Sequence, residues 1–238
     1  NLKNYHTMQK LALLFTCLFI FSATQAQKKP LLDGSDKLEG YAKHEEIRKA
    51  SGFDSLHWQF IGPTNISGRC TDVEAISPRG RDYTIWVASA TGGIWKSINE
   101  GVTFTPVFEE YGTTSIGDIA ITPSNPDIVW AGTGEANIFR SSNPGCGIYK
   151  TTDGGESWEH MGLENTYTIA RILVHPDDPD VVYVAATGHE WTHNKERGLF
   201  RTTDGGESWD KILYIDEETG VNDLVMHPED PATMYATT

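Results

Sequence analysis

Thr151-Thr152-Asp153-Gly154-Gly155-Glu156-Ser157-Trp158 recurs letter for letter at Thr202–Trp209, and a degraded copy, Ser97-Ile98-Asn99-Glu100-Gly101-Val102-Thr103-Phe104, precedes both. Asn99, Asp153 and Asp204 fall 54 and 51 residues apart. A second motif keeps the same step: Pro123, Pro176 and Pro228, each in a turn that follows a short apolar stretch, are separated by 53 and 52 residues. Self-similarity at a period near fifty is the mark of a repeat array and decides the architecture before any other feature does.

Each repeat reads as four short strands. An apolar strand is followed by a Pro/Asn/Asp turn, then a β-branched and aromatic strand, as in Asp118–Gly134, Arg171–Gly188 and Asp223–Thr238. A third strand follows (from Gly147 and from Gly198), then the Asp-Gly-Gly turn, then a strand opening at Trp158 or Trp209. Four antiparallel strands with no helical period between them make one blade of a β-propeller. The expected fold is therefore all-β, with blades at about 72–108, 118–161 and 171–213 and an incomplete one at 223–238. Three and a half blades do not close a ring of four or more, so the chain reads as the N-terminal part of a longer propeller occupying 57–238.

The region before it divides in two. Asn1 is not an initiator, whereas Met8 begins a plausible export signal: Lys10, the apolar run Leu11–Ser22, then Thr24-Gln25-Ala26 for cleavage before Gln27. Residues 1–26 are thus expected to be upstream residues and signal, and 27–56 a polar leader with a short helix over Lys37–Lys49. His57-Trp58-Gln59-Phe60-Ile61 alternates like a strand. The expected location is secreted, periplasmic or cell-surface, with no membrane contact beyond the signal.

Composition narrows the partners. Nineteen Lys and Arg against thirty-three Asp and Glu give a net charge of −14, with no basic stripe for nucleic acid. Cys70 and Cys146 are the two cysteines after the signal. The antiparallel order places them on one face of adjacent blades, and an exported protein can keep a disulfide there. A Cys70–Cys146 bridge and two buried unpaired thiols are both consistent with this placement. His175 and His227 precede prolines in turns and read as turn chemistry; no metal or cofactor is expected.

The repeated string is identified as the Asp-box, or bacterial neuraminidase repeat: Asp153, Gly155, Ser157 and Trp158 in one copy, Asp204, Gly206, Ser208 and Trp209 in the next. With Ile61–Arg69, the chain from Trp58 to Thr238 resembles secreted bacterial propellers related to the N-terminal propeller of sortilin-type receptors and, more distantly, to the xyloglucan-cleaving glycoside hydrolases. The local physics makes the box a turn: the carboxylate accepts bonds from turn donors, glycine permits positive φ, and Trp packs between sheets. The resemblance implies that this turn lies away from the ligand face.

Function is expected where the repeats differ. The link between second and third strands is tight in the first blade (Ala90–Gly93) but expands to Glu135–Cys146 in the second and His189–Arg197 in the third. These insertions carry Glu135, Phe139, Arg140, His189, Glu190 and Trp191, a mixture suited to a sugar or peptide. Arg69 precedes the first innermost strand. Asp72, Asp118, Arg171 and Asp223 occupy equivalent positions on the innermost strands, open to two readings: ligand contacts, or ion pairs between blades. For hydrolysis, Glu135 and Glu190 are the candidate carboxylates of the pair that glycosidases use. Against it, the xyloglucan-cleaving resemblance implies an Asp where Ala90 stands. Two functions stay open: an extracytoplasmic recognition module for a protein, peptide or glycan ligand, or a glycoside hydrolase or sialidase-like enzyme acting on extracellular polysaccharide.

Overall fold

The first strands of four successive sheets pack side by side, and each sheet fans outward from them. The computed structural model describes residues 33–53, 56, 68–76, 83–137 and 142–238. The first sheet runs β1 (Cys70–Ile76), β2 (Thr84–Ser89), β3 (Ile94–Ser97), β4 (Thr105–Pro106). The second runs β5 (Ile116–Ile121), β6 (Val129–Thr133), β7 (Ile148–Thr151), β8 (Glu159–His160). The third runs β9 (Ile169–Val174), β10 (Val182–Ala186), β11 (Gly198–Thr202), β12 (Asp210–Leu213), and β13 (Asp223–His227) pairs with β14 (Asp230–Thr237). Every pairing is antiparallel between sequence neighbours. This is the β-propeller blade, with β1, β5, β9 and β13 as innermost strands. The segments expected as the signal, Met8–Ala26, and as a leading strand, His57–Ile61, lie outside the described residues, as do Phe139 and Arg140.

Strand periodicity explains the packing. In the second sheet Ile119, Val129, Ala131 and Tyr149 face the first sheet, where they meet Trp86, Ala88 and Ile94. Their sequence neighbours Ala120, Trp130 and Ile148 face the third sheet and meet Ile172, Val182 and Val184. With both faces covered, β6 and β10 are buried at every position, which is why they read as continuous apolar runs rather than alternating ones.

The repeat turns make the joints between sheets. Asp153 accepts from the Thr151 and Ser157 hydroxyls (2.7 and 2.5 Å) and from the Ser157 N–H (2.9 Å). Asp204 does the same with Thr202 and Ser208. Those donors, the Ser157 hydroxyl foremost for Asp153 and the Ser208 hydroxyl for Asp204, hold both carboxyls well below the usual range. Trp158 then stacks edge-on against Trp86 of the preceding sheet (6.2 Å, 89°), and Trp209 against Trp130 (6.2 Å, 85°). Trp158 Nε1 donates to Val107 O and Trp209 Nε1 to Met161 O. A lysine completes each joint: Lys96 Nζ lies 4.9 Å over the Trp86 ring and donates to Gly154 O, while Lys150 Nζ lies 4.8 Å over Trp130 and donates to Gly205 O. The joint therefore accounts for the repeated Thr, Asp, Gly, Ser and Trp, with both oxygens of Asp153 and of Asp204 engaged within their turns.

A polar helix, α1 (Gly34–Ala50), precedes the sheets. It starts earlier than the sequence pattern suggests because Asp33 and Asp36 form a reciprocal cap, each side chain accepting from the other's backbone N–H.

Both described cysteines are free thiols. The bridge considered above is not formed, because Cys146 turns into the core. Its Sγ contacts the Tyr149 hydroxyl at 3.3 Å amid Phe108 and Ile116, and burial raises its pKa. Cys70 is exposed at the start of β1. The buried member behaves as a small apolar residue.

Candidate functional site

The insertions leave the sheets beside the starts of the innermost strands. Gly134 N donates to Ser115 O just before β5, Gly145 N to Tyr167 O, and Thr187 N to Thr168 O just before β9. Tyr167 adopts φ +68°, uncommon for a non-glycine residue, and its carbonyl receives the 2.7 Å bond from Gly145. The base of the second insertion is thereby held against the entry to the third sheet.

Glu135 does not face an open cleft. It is fully buried and bidentate with Arg69: Nε–Oε1 is 2.7 Å and Nη2–Oε2 is 2.6 Å. The pair ties the start of the first sheet to the end of β6. Both candidates are brought together, but as each other's partner.

The charges on the innermost strands also serve the joints. Asp72 accepts from Ile119 N (3.3 Å), and Asp118 from Ile172 N (2.6 Å): each aspartate reaches the innermost strand of the next sheet. Arg171 breaks the series and bridges Asp118 (Nη1, 3.1 Å) and Asp223 (Nε, 3.0 Å). Burial, then the nearby Asp72 charge, push Asp118 up to about 8 against the opposing pull of Arg171. Asp223, more exposed and bonded to Arg171, is held below the usual range.

What remains open lies at the third insertion. Arg197 is buried and donates through Nη1 to Thr187 O (2.7 Å) and Glu218 O (3.2 Å), and through Nη2 to Thr192 O (2.8 Å) and His189 O. One guanidinium thus gathers both ends of the insertion and the segment after β12, the wall-to-wall span of a cleft of about 310 Å³. Ala136, His189, Glu190, Arg197, Thr219 and Asn222 line it. Two buried atoms of its lining, Glu190 Oε1 and Arg197 Nε, have no hydrogen-bond partner among the described residues. His189 stacks on Tyr167 at 3.8 Å, and burial, then Arg197, hold its pKa below the ordinary value. Trp191, in the same insertion, is 79% exposed. A larger hollow of about 480 Å³ lies at the outer edge of the first joint. It carries less chemistry: its Lys96 is already committed to Gly154 and Trp86. Among the described residues no group of His, Cys, Asp and Glu is placed to hold a metal, and no helix is long and apolar enough to cross a membrane.

Sequence reading missed Tyr167, Asn194 and the Glu218–Asn222 wall. Tyr167 and the wall sit in linkers between repeats, where no pattern marks them. Lys96 and Lys150 were legible in principle, at matching positions of Ile-Trp-Lys-Ser and Ile-Tyr-Lys-Thr.

Comparison with known proteins agrees with this architecture. A probable oligoxyloglucan-reducing end-specific xyloglucanase of Neosartorya fischeri is 25% identical over 170 residues, 64% of this chain and 19% of that protein. The crystal structure of an ancestral GH74 enzyme superposes with a TM-score of 0.57 at 19% identity, over 71% of this chain and 22% of that one. The GH74 enzyme of Niastella koreensis gives 0.48 at 20% identity, over 68% and 25%. The chain thus spans about a fifth of the curated relative, and the structural likeness is one of fold. Residues 92–212 and 146–238 both match the family described as Sortilin, neurotensin receptor 3. With its repeated joints and its family match covering more than half its length, the chain belongs to the Sortilin-Vps10 family of β-propellers.

Proposed function

We propose that the chain is part of an extracytoplasmic recognition propeller, binding a peptide, protein or glycan ligand at the cleft between His189–Arg197 and Glu218–Asn222. The observation that carries this reading is the unmatched pair of buried polar atoms, Glu190 Oε1 and Arg197 Nε, in the lining of that one cleft. An unpaired buried donor or acceptor is costly, and a ligand that reaches these two atoms through a small shift of the cleft lining, offering an acceptor and a donor, offsets that cost. Trp191, next in sequence to Glu190 and 79% exposed, would supply an apolar face to such a ligand.

Hydrolysis is the second reading, favoured by the similarity to a probable xyloglucanase. It needs two carboxyl groups flanking the scissile bond. Of the two candidates, Glu135 is consumed by Arg69, which leaves Glu190 alone among them.

The test uses the chain in calorimetric titrations with a xyloglucan oligosaccharide and with an array of short peptides, alongside reducing-end release. Trp191→Ala and Glu190→Gln should weaken binding of the retained probe about tenfold, about 1.4 kcal/mol. Trp191→Ala should leave stability within about 0.5 kcal/mol, as for most exposed positions. Reducing ends released by the wild type and abolished by Glu190→Gln would replace recognition with hydrolysis.

A further inference from the structure

We infer that α1 is a positioning strap for the cleft, with Asn165 as the joint through which helix docking and cleft shape are coupled. Its functional meaning rests on the recognition reading above; the coupling itself does not.

The connection is a chain of bonds. Asn165 Oδ1 accepts from Gly34 N (3.2 Å) and from the Ser35 hydroxyl (3.5 Å), at the first turn of α1. The carbonyl of the same residue accepts from Asn194 Nδ2 (3.2 Å). Asn194 sits in the third insertion, where its Oδ1 accepts from His189 N (3.3 Å) and its N–H donates to Glu217 O (3.1 Å). Asn165 therefore links the helix to Asn194, which reaches His189 in one wall and Glu217, just before the other. The approach is close: a Cβ on Gly34 would lie 1.7 Å from Glu164 O. Asp33, the helix cap, also acts electrostatically on His189 in the cleft, favouring its charged form. Further along, Lys37 Nζ donates to Pro144 O (2.5 Å) at the base of the second insertion, and Tyr41 donates to Glu110 O. Leu38 packs beside Gly112, next to Cys146 and Tyr149.

The helix is built to come and go. Gly34 is its only buried residue among those described and Leu38 meets the core as a partly buried side chain, so the apolar area that holds it is modest. Helices in proteins draw most of their stability from packing, and the order of this polar 17-residue helix therefore depends on docking. Whatever undocks it removes two acceptances at Asn165 and loosens the residue to which Asn194 of the insertion is bonded; by reciprocity, whatever orders the insertion favours the docked helix. The strap thus sets the population of cleft-competent molecules without touching a ligand.

Hydrogen exchange of the full chain tests the coupling with no ligand present. Gly34→Ala removes the close approach at the helix start, and Asn194→Ala removes the bond at the other end. The amides of Gly155 and Gly206, bonded to Thr151 and Thr202 within the repeat turns, report global integrity. Gly34→Ala should accelerate exchange about fivefold or more in residues 34–50 and also in residues 189–197, the equivalent of about one net hydrogen bond. Asn194→Ala should accelerate residues 34–37 reciprocally, with the repeat-turn amides unchanged in both variants. Acceleration confined to the mutated element overturns the coupling, as does no acceleration, or a uniform rise that includes the repeat turns. Failure of the recognition reading shows separately, as absence of binding in the titrations.

Discussion

Gly206→Ala tests whether the repeated turn is a joint under tight packing. Gly206 has φ +100°, and a Cβ there would lie 2.8 Å from Trp130 Cη2, 3.1 Å from Trp130 Cζ3 and 2.9 Å from Met161 Cε. The ring has no room to retreat: Trp130 is fully buried, with Trp209 edge-on at 6.2 Å. Backbone strain at positive φ contributes about 1–2 kcal/mol, and overpacking against a fixed ring about 1–3 kcal/mol. The sum, about 2–5 kcal/mol, corresponds to a fall in Tm of roughly 4–20 °C at this chain length. Gly205→Ala is the internal control. It shares a positive φ of +70°, but its added methyl meets Asp180 Oδ1 at 3.0 Å and Lys150 Nζ at 3.3 Å, the ends of flexible side chains. Only the backbone cost, about 1–2 kcal/mol, applies there. Thermal and urea unfolding of both variants decide the matter. Equal losses in the two would refute the claim that Trp130 is locked. Lost ligand binding at unchanged Tm in Gly206→Ala would refute the claim that the turn is structural.

Two further outcomes follow from buried charge. Folding raises Asp118 from 3.8 to about 8, so this group's stabilisation is complete below about pH 4 and drains away as pH climbs toward 8, at about 1.4 kcal/mol per pH unit in between. Urea midpoints at pH 5, 6 and 7 should therefore show wild type losing about 3 kcal/mol that Asp118→Asn retains; parallel pH curves for the two proteins would sink this. Glu135→Gln should lower Tm by roughly 5 °C, because Arg69 loses its bidentate anion, and any ligand binding should persist per folded molecule; a variant inactive toward glycan at unaltered Tm would restore Glu135 as a catalytic candidate.

The propeller was legible because its information is local and repeated. Asp153, Gly155, Ser157 and Trp158 satisfy one turn with short-range bonds, and the same bonds recur at Asp204. The site was less legible because its geometry depends on partners far apart in sequence. Nothing in the insertion starting at Glu135 reveals that Arg69, 66 residues earlier, takes both of its oxygens. The equivalence of Asp72 and Asp118 was visible, but not that each reaches a backbone N–H of the following sheet. Cys146 illustrates the same limit: its place in sequence puts it at a loop end, while its side chain belongs to the core around Tyr149.

The joints are asymmetric, and that gives the array a direction in time. The first and second sheets each present a finished Trp–Lys receptor, Trp86 with Lys96 and Trp130 with Lys150, before the turn that occupies it has been synthesised. The bonds made on arrival span 58, 55, 51 and 48 residues, so no joint waits for anything further along the chain than the next repeat. A nascent chain emerging amino end first can therefore settle one repeat at a time onto an already ordered surface. The docking of α1, which waits for Pro144 and Asn165, and the final union of the first and last repeats of a complete ring would stand outside that schedule.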